Sequence, residues 1–132
     1  MISAMKTKSL LTAVMFAAFT ATGALAADKV TVPSETSVPA SEVPEGAIVV
    51  NIAKMKYDNT DLKIKAGDTV VWINQDVMPH NVEFQPGVTG DSDLKGPMLK
   101  KDQSYSITFN EAGEYAYHCT PHPFMRGKVT VE

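Results

Sequence analysis

Residues 119 to 125 read Cys-Thr-Pro-His-Pro-Phe-Met. A thiol, an imidazole and a thioether stand there in one short, proline-rich segment. A second histidine, His80, lies 39 residues upstream in Met78-Pro79-His80-Asn81. One thiolate, two imidazoles and a weak thioether make the ligand set of a blue-copper electron-transfer site. Thiolate and imidazole suit both copper oxidation states, and the soft thioether is a weak fourth partner. The order is His80, a long gap, Cys119, two residues, His122, two residues, Met125. That pattern is specific, whereas a lone Cys-x-x-His is not.

Plainer readings exist for each residue. A lone cysteine is most often a small buried hydrophobe, and Met125 could be core filling. Zinc could occupy a Cys-His-His set with an open position, but it has no use for the methionine. His118 is adjacent to Cys119, and strand neighbours point to opposite faces. If Cys119 faces a metal, His118 faces away. A copper enzyme would need a second copper and more histidines, and only His118 is spare among three. A copper-storage protein or chaperone would offer several cysteines or a methionine-rich ligand set. The absorption of the copper-loaded protein separates these classes.

Composition narrows the rest. One cysteine permits no internal disulfide and no cysteine-only zinc site. The chain has 12 Lys plus Arg against 15 Asp plus Glu, a net charge of −3. This argues against the basic footprint of a nucleic-acid binder. Its 132 residues support one folded domain. Residues 1–27 are set apart from it. Lys6 and Lys8 precede the uncharged run from Ser9 to Phe19, and Ala24-Leu25-Ala26 follows as a cleavage signal. This is the layout of a secretory signal peptide, cut after Ala26 or Ala27. The apolar run is short for a span of about 20 residues, so no membrane insertion is expected. Losing Lys6 and Lys8 leaves 10 basic against 15 acidic residues, a charge of −5 for residues 28–132. The exported protein of a bacterium would reside in the periplasm.

The elements that must position the ligands read as strands. Residues 28–46 form an irregular lead-in broken by Pro33, Pro39 and Pro44, with a possible edge strand over Lys29–Val32. Strands are expected at 47–52, 62–65, 69–74, 80–84, 105–109, 114–118 and 127–131, from apolar runs or period-two alternation between turn signals. Residues 86–97, with Gly87, Gly90 and Gly96, read as a loop. Nothing after residue 27 shows a 3.6-residue apolar repeat. Eight glycines, eight prolines and several short strands point to an all-β sandwich.

Cys119-x-x-His122-x-x-Met125, with His80-Asn81 upstream, resembles the cupredoxins. The run from Cys119 to Lys128, the segment Ile52-Ala53-Lys54-Met55-Lys56-Tyr57 and Met78-Pro79-His80-Asn81-Val82 are similar to the amicyanin family among them. The resemblance spans residues 28–132 and weakens over 28–46 and 86–94. It implies a Greek-key β-sandwich with an extra N-terminal strand. It implies one type 1 copper held by His80, Cys119, His122 and Met125. It also implies a monomeric one-electron carrier, not an enzyme. That carrier would accept electrons from methylamine dehydrogenase and pass them to a c-type cytochrome. Met55, Met78, Pro79, Met98, Pro121, Pro123 and Phe124 would form an apolar docking collar. Lys95, Lys100, Lys101 and Arg126 would form a basic rim that tunes encounter rate. Asn81 is expected to tie the two ligand segments together, and Trp72 to belong to the core.

Overall fold

A computed structural model describes residues 29–132. The expected signal peptide lies outside the described residues. The strands in chain order are β1 (Val30–Thr31), β2 (Val38–Pro39), β3 (Ile48–Ala53), β4 (Lys56–Tyr57), β5 (Asp61–Ile64) and β6 (Thr69–Asn74). β7 (Glu83–Phe84), β8 (Leu94–Lys95), β9 (Gln103–Phe109), β10 (Gly113–His118) and β11 (Arg126–Val131) complete them. One sheet runs β1-β9-β6-β3-β4, with β2 also paired to β9, and the other runs β5-β11-β10-β7-β8. β3 pairs with β6, and β5 with β11, in parallel; all other pairs are antiparallel.

Period-two alternation turns one face of each long strand inward. Tyr105, Ile107 and Phe109 of β9 are buried, as are Tyr115 and Tyr117 of β10 and Val129 and Val131 of β11. Trp72 on β6 is fully buried. Its indole meets Tyr117 at 5.3 Å and 80°, and Phe84 at 6.4 Å and 76°. Edge-to-face pairing of this kind adds about 0.5–1.5 kcal/mol per pair beyond area burial. Trp72 therefore cements the two sheets, as expected for a core residue.

Four stretches differ from the expectation. The lead-in is not wholly irregular, since Val38 and Pro39 pair with Ser104 and Gln103 and a 3₁₀ turn follows over Ala40–Glu42. The 86–97 loop contains β8, because Glu83 and Phe84 pair with Lys95 and Leu94. The expected strand at 80–84 shrinks to Glu83–Phe84, and His80 forms only an isolated bridge to Leu99. β4 was also absent from the expectation. It exists because Lys56 and Tyr57 fold back on Ala53 and Ile52.

Candidate metal centre

The β10–β11 connection carries three of the four candidate ligands, and alternation decides where they face. Tyr115 and Tyr117 point inward, so Cys119, two residues further, does too. From the other side, Val129 and Gly127 are buried and Met125 continues that row. The ladder ends at His118 opposite Arg126, and the Cys119 amide then donates to the Met125 carbonyl at 3.1 Å. Within the loop the His122 amide donates to the Cys119 carbonyl at 3.2 Å, and the Met125 amide to the His122 carbonyl at 2.9 Å. Pro121 and Pro123 fix φ on either side of His122. The result is a rigid loop with its sulfurs inward and its imidazole at the tip.

His80 arrives from the β6–β7 loop. Its amide and carbonyl bond the carbonyl and amide of Leu99 at 3.2 and 2.7 Å. The buried Asn74 side chain braces that loop, donating to the carbonyls of Met78 at 3.0 Å and Leu99 at 2.7 Å. Asn81 then ties this loop to the other. Its Nδ2 donates to Thr120 Oγ1 and its Oδ1 accepts the Thr120 amide, both at 2.8 Å, while Nδ2 also reaches the Gly96 carbonyl at 3.2 Å. Tyr57 donates its hydroxyl to the Asn81 carbonyl at 2.7 Å.

These supports bring three donors together. Cys119 Sγ lies 3.7 Å from His80 Nδ1 and 3.6 Å from His122 Nδ1, and the three donor atoms lie within 4.8 Å of one another. A metal about 2.3 Å from a thiolate and about 2.0 Å from an imidazole, at angles of about 109–120°, sets sulfur and nitrogen about 3.5–3.7 Å apart. Both sulfur–nitrogen separations match. His80 and Cys119 are fully buried and Met125 is 2% exposed, whereas His122 is only half-buried. Burial pushes the Cys119 thiol up, against the Asn81 and His122 amides that pull it down. Metal binding must therefore displace a proton from this sulfur.

His118 turns the other way, its Nε2 2.6 Å from Glu83 Oε2, and Thr120 Oγ1 donates to the same carboxylate oxygen at 3.1 Å. Sequence reasoning missed Asn74 and Asp76. Asp76 Oδ2 lies 2.8 Å from His80 Nε2 and accepts the Met55 amide, while Oδ1 accepts that of Lys54. Desolvation alone would raise the Asp76 carboxyl, but the Met55 and Lys54 amides and His80 outweigh it and hold it below its ordinary value. No sequence signal marks such a residue, because a carboxylate in a turn reads as solvated. Val77, Met78, Met98 and Phe124 are exposed apolar side chains of the ligand segments and their neighbours.

A sandwich with buried thiolate and imidazole donors at one end defines the cupredoxin class. In agreement, a family model described as copper binding proteins of the plastocyanin/azurin family matches residues 44–132. The chain belongs to that copper-binding family and, within it, to the amicyanins. It is 65% identical to amicyanin of Paracoccus denitrificans and 56% identical to that of Paracoccus versutus, each over 100% of both chains. It is 46% identical to amicyanin-alpha of Methylorubrum extorquens over 95% of this chain and 99% of that one. The solved structure of a reduced Cu(I) form of an amicyanin variant matches with a TM-score of 0.79 and 65% identity, covering 80% of this chain and 100% of that chain. The protein is thus a blue-copper electron carrier with copper as its cofactor.

Proposed function

We propose that His80, Cys119, His122 and Met125 hold the copper. We further propose that the protein carries single electrons in a bacterial periplasm from methylamine dehydrogenase to a c-type cytochrome. The observation that carries the ligand assignment is the Cys119 sulfur set 3.6–3.7 Å from two inward-facing Nδ1 atoms. The partners rest on the amicyanin likeness, and the periplasm on residues 1–27, read as a signal peptide removed on export.

Copper supplies the one-electron Cu(II)/Cu(I) couple. The chain's residues do the rest. His80, Cys119 and Met125 are buried, so water is kept from three of the four donors. The hydrogen bonds inside 119–125 and the Asn81–Thr120 link hold the donors in one arrangement, which keeps reorganisation small on each transfer. His122 is the one donor side chain that reaches the surface. Phe124 is 69% exposed, with its ring centroid 6.0 Å from that of His122. With exposed Met78 and Met98 it offers an apolar surface where a partner can exclude water beside the donor edge. The exposed Lys95, Lys100, Lys101 and Arg126 supply positive charge on an otherwise acidic chain.

Copper titration followed by absorption tests the ligand reading. The wild-type protein should show the intense orange-red band of thiolate-to-copper charge transfer and be reduced by methylamine-reduced dehydrogenase. Cys119→Ser should remain folded and lose both properties. A blue, redox-competent serine variant refutes the assignment. Failure of reduction by that enzyme, with the band intact, removes only the named donor.

A further inference from the structure

The hairpin between β3 and β4 turns on Lys54 and Met55, whose φ values are 53° and 59°. Two successive residues of positive φ are the requirement of a type I′ turn, where Asn-Gly is the usual choice. A side-chain-bearing residue in this conformation costs roughly 1–2 kcal/mol, so something must hold the turn. The two amides converge on Asp76, Lys54 N at 2.8 Å from Oδ1 and Met55 N at 3.0 Å from Oδ2. Successive backbone amides of this kind make a concave anion nest. The carboxylate seated in it also meets His80 Nε2 at 2.8 Å. The other two partners of the carboxylate are backbone N–H donors. The Asp76 amide is itself tied to Asn74 Oδ1 at 2.9 Å.

This arrangement dictates the state of the imidazole. The nitrogen facing Asp76 must carry the proton, because a carboxylate cannot donate. The other nitrogen, Nδ1, faces Cys119 and keeps its lone pair free. Asp58 provides an internal comparison. It braces the same hairpin, accepting the Asn51 amide at 2.9 Å and Asn51 Nδ2 at 3.1 Å, yet it bonds no candidate ligand. Bracing the hairpin therefore does not by itself require a carboxylate on His80.

We propose that Asp76 is a positioning residue of the copper site: seated in the Lys54–Met55 amide nest, it fixes the tautomer and ring plane of His80 before the metal arrives. Its negative charge, passed on through the ring, favours Cu(II) over Cu(I). The proposal rests on His80 being a ligand. Loss of a carboxylate that orients a metal-binding histidine typically costs 10–100-fold in metal affinity.

The test begins with the metal-free wild-type protein, where ¹⁵N NMR of the imidazole should show His80 protonated at Nε2 alone. Cu(I), which is diamagnetic, should then shift the His80 Nδ1 resonance. In Asp76→Asn one oxygen must serve three N–H donors, and the amide group opposes at least one of them. A population protonated at Nδ1 should appear, and Cu(II) affinity should fall about 10–100-fold. Cu(I) affinity should fall less, so the reduction potential rises, each tenfold difference corresponding to about 59 mV for one electron. Asp76→Ala should act in the same direction. Asp58→Asn should lower hairpin stability while leaving tautomer and potential at their wild-type values. An Nδ1-protonated His80 in the wild-type apo-protein overturns the proposal. So do folded Asp76 variants whose tautomer, affinities and potential match the wild type. An Nδ1 resonance unmoved by Cu(I) removes the ligand reading, and the proposal with it.

Discussion

Asn81→Ala cuts a side-chain link between the two ligand segments. The carboxamide makes three bonds, to Thr120 Oγ1, the Thr120 amide and the Gly96 carbonyl, and Asn81 is fully buried. At about 1 kcal/mol net for each, the loss is about 3 kcal/mol. For a domain of about 100 residues, each kcal/mol moves Tm by roughly 4–8 °C, so the apo-protein should melt about 12–24 °C lower. Circular dichroism melts of apo wild type and variant measure this directly. Thr120→Val removes the Oγ1 part of the link together with the Oγ1 bond to Glu83 and should cost about 2–3 kcal/mol. Because it removes a group that Asn81 already engages, its effect should shrink in the double variant. The charge-transfer band should survive in Asn81→Ala, since no proposed ligand is changed, but copper should dissociate faster from the loosened loop. A variant melting within about 0.5 kcal/mol of wild type, the usual range for a neutral surface change, would refute the argument.

Three further outcomes follow from other residues. Gly127→Ala would drive a methyl group into Cζ and the hydroxyl oxygen of Tyr117, well inside van der Waals contact. That ring is boxed in by Tyr57 at 4.8 Å, Trp72 at 5.3 Å and Phe84 at 5.5 Å, so a loss of about 1–3 kcal/mol is expected in denaturant melts. Met125→Gln should lower the reduction potential, because an oxygen donor favours Cu(II); an unchanged potential by voltammetry would make Met125 a packing residue. Asp76 has a folded-state pKa below its unfolded value, so its ionised form stabilises the apo-protein fully above about pH 4. That contribution fades as pH falls through the depressed value, so the acid-melt curves of apo wild type and Asp76→Asn should converge at low pH. Parallel curves down to the lowest pH would contradict the linkage.

What the sequence determined by itself was local. The 119–125 run places a thiol, an imidazole and a thioether in one loop. Period-two alternation then sends Cys119 inward with Tyr115 and Tyr117 and turns His118 outward to Glu83. The long strands were legible for the same reason, because a half-buried sheet writes its two faces into consecutive residues. The strands β2, β4 and β8 were not, since two residues carry no period and exist only through their partners. A tie from Asn81 to the Cys119 loop was expected, but its Thr120 partner, its three bonds and the brace from Asn74 depend on loops meeting across the sandwich end. Asp76 was invisible for the strongest physical reason. Its role depends on two amides 21–22 residues earlier in the chain adopting positive φ and turning toward it. No pattern of side chains records where backbone N–H groups will point, and only the packed hairpin and loop decide that this carboxylate meets the Nε2 atom of His80.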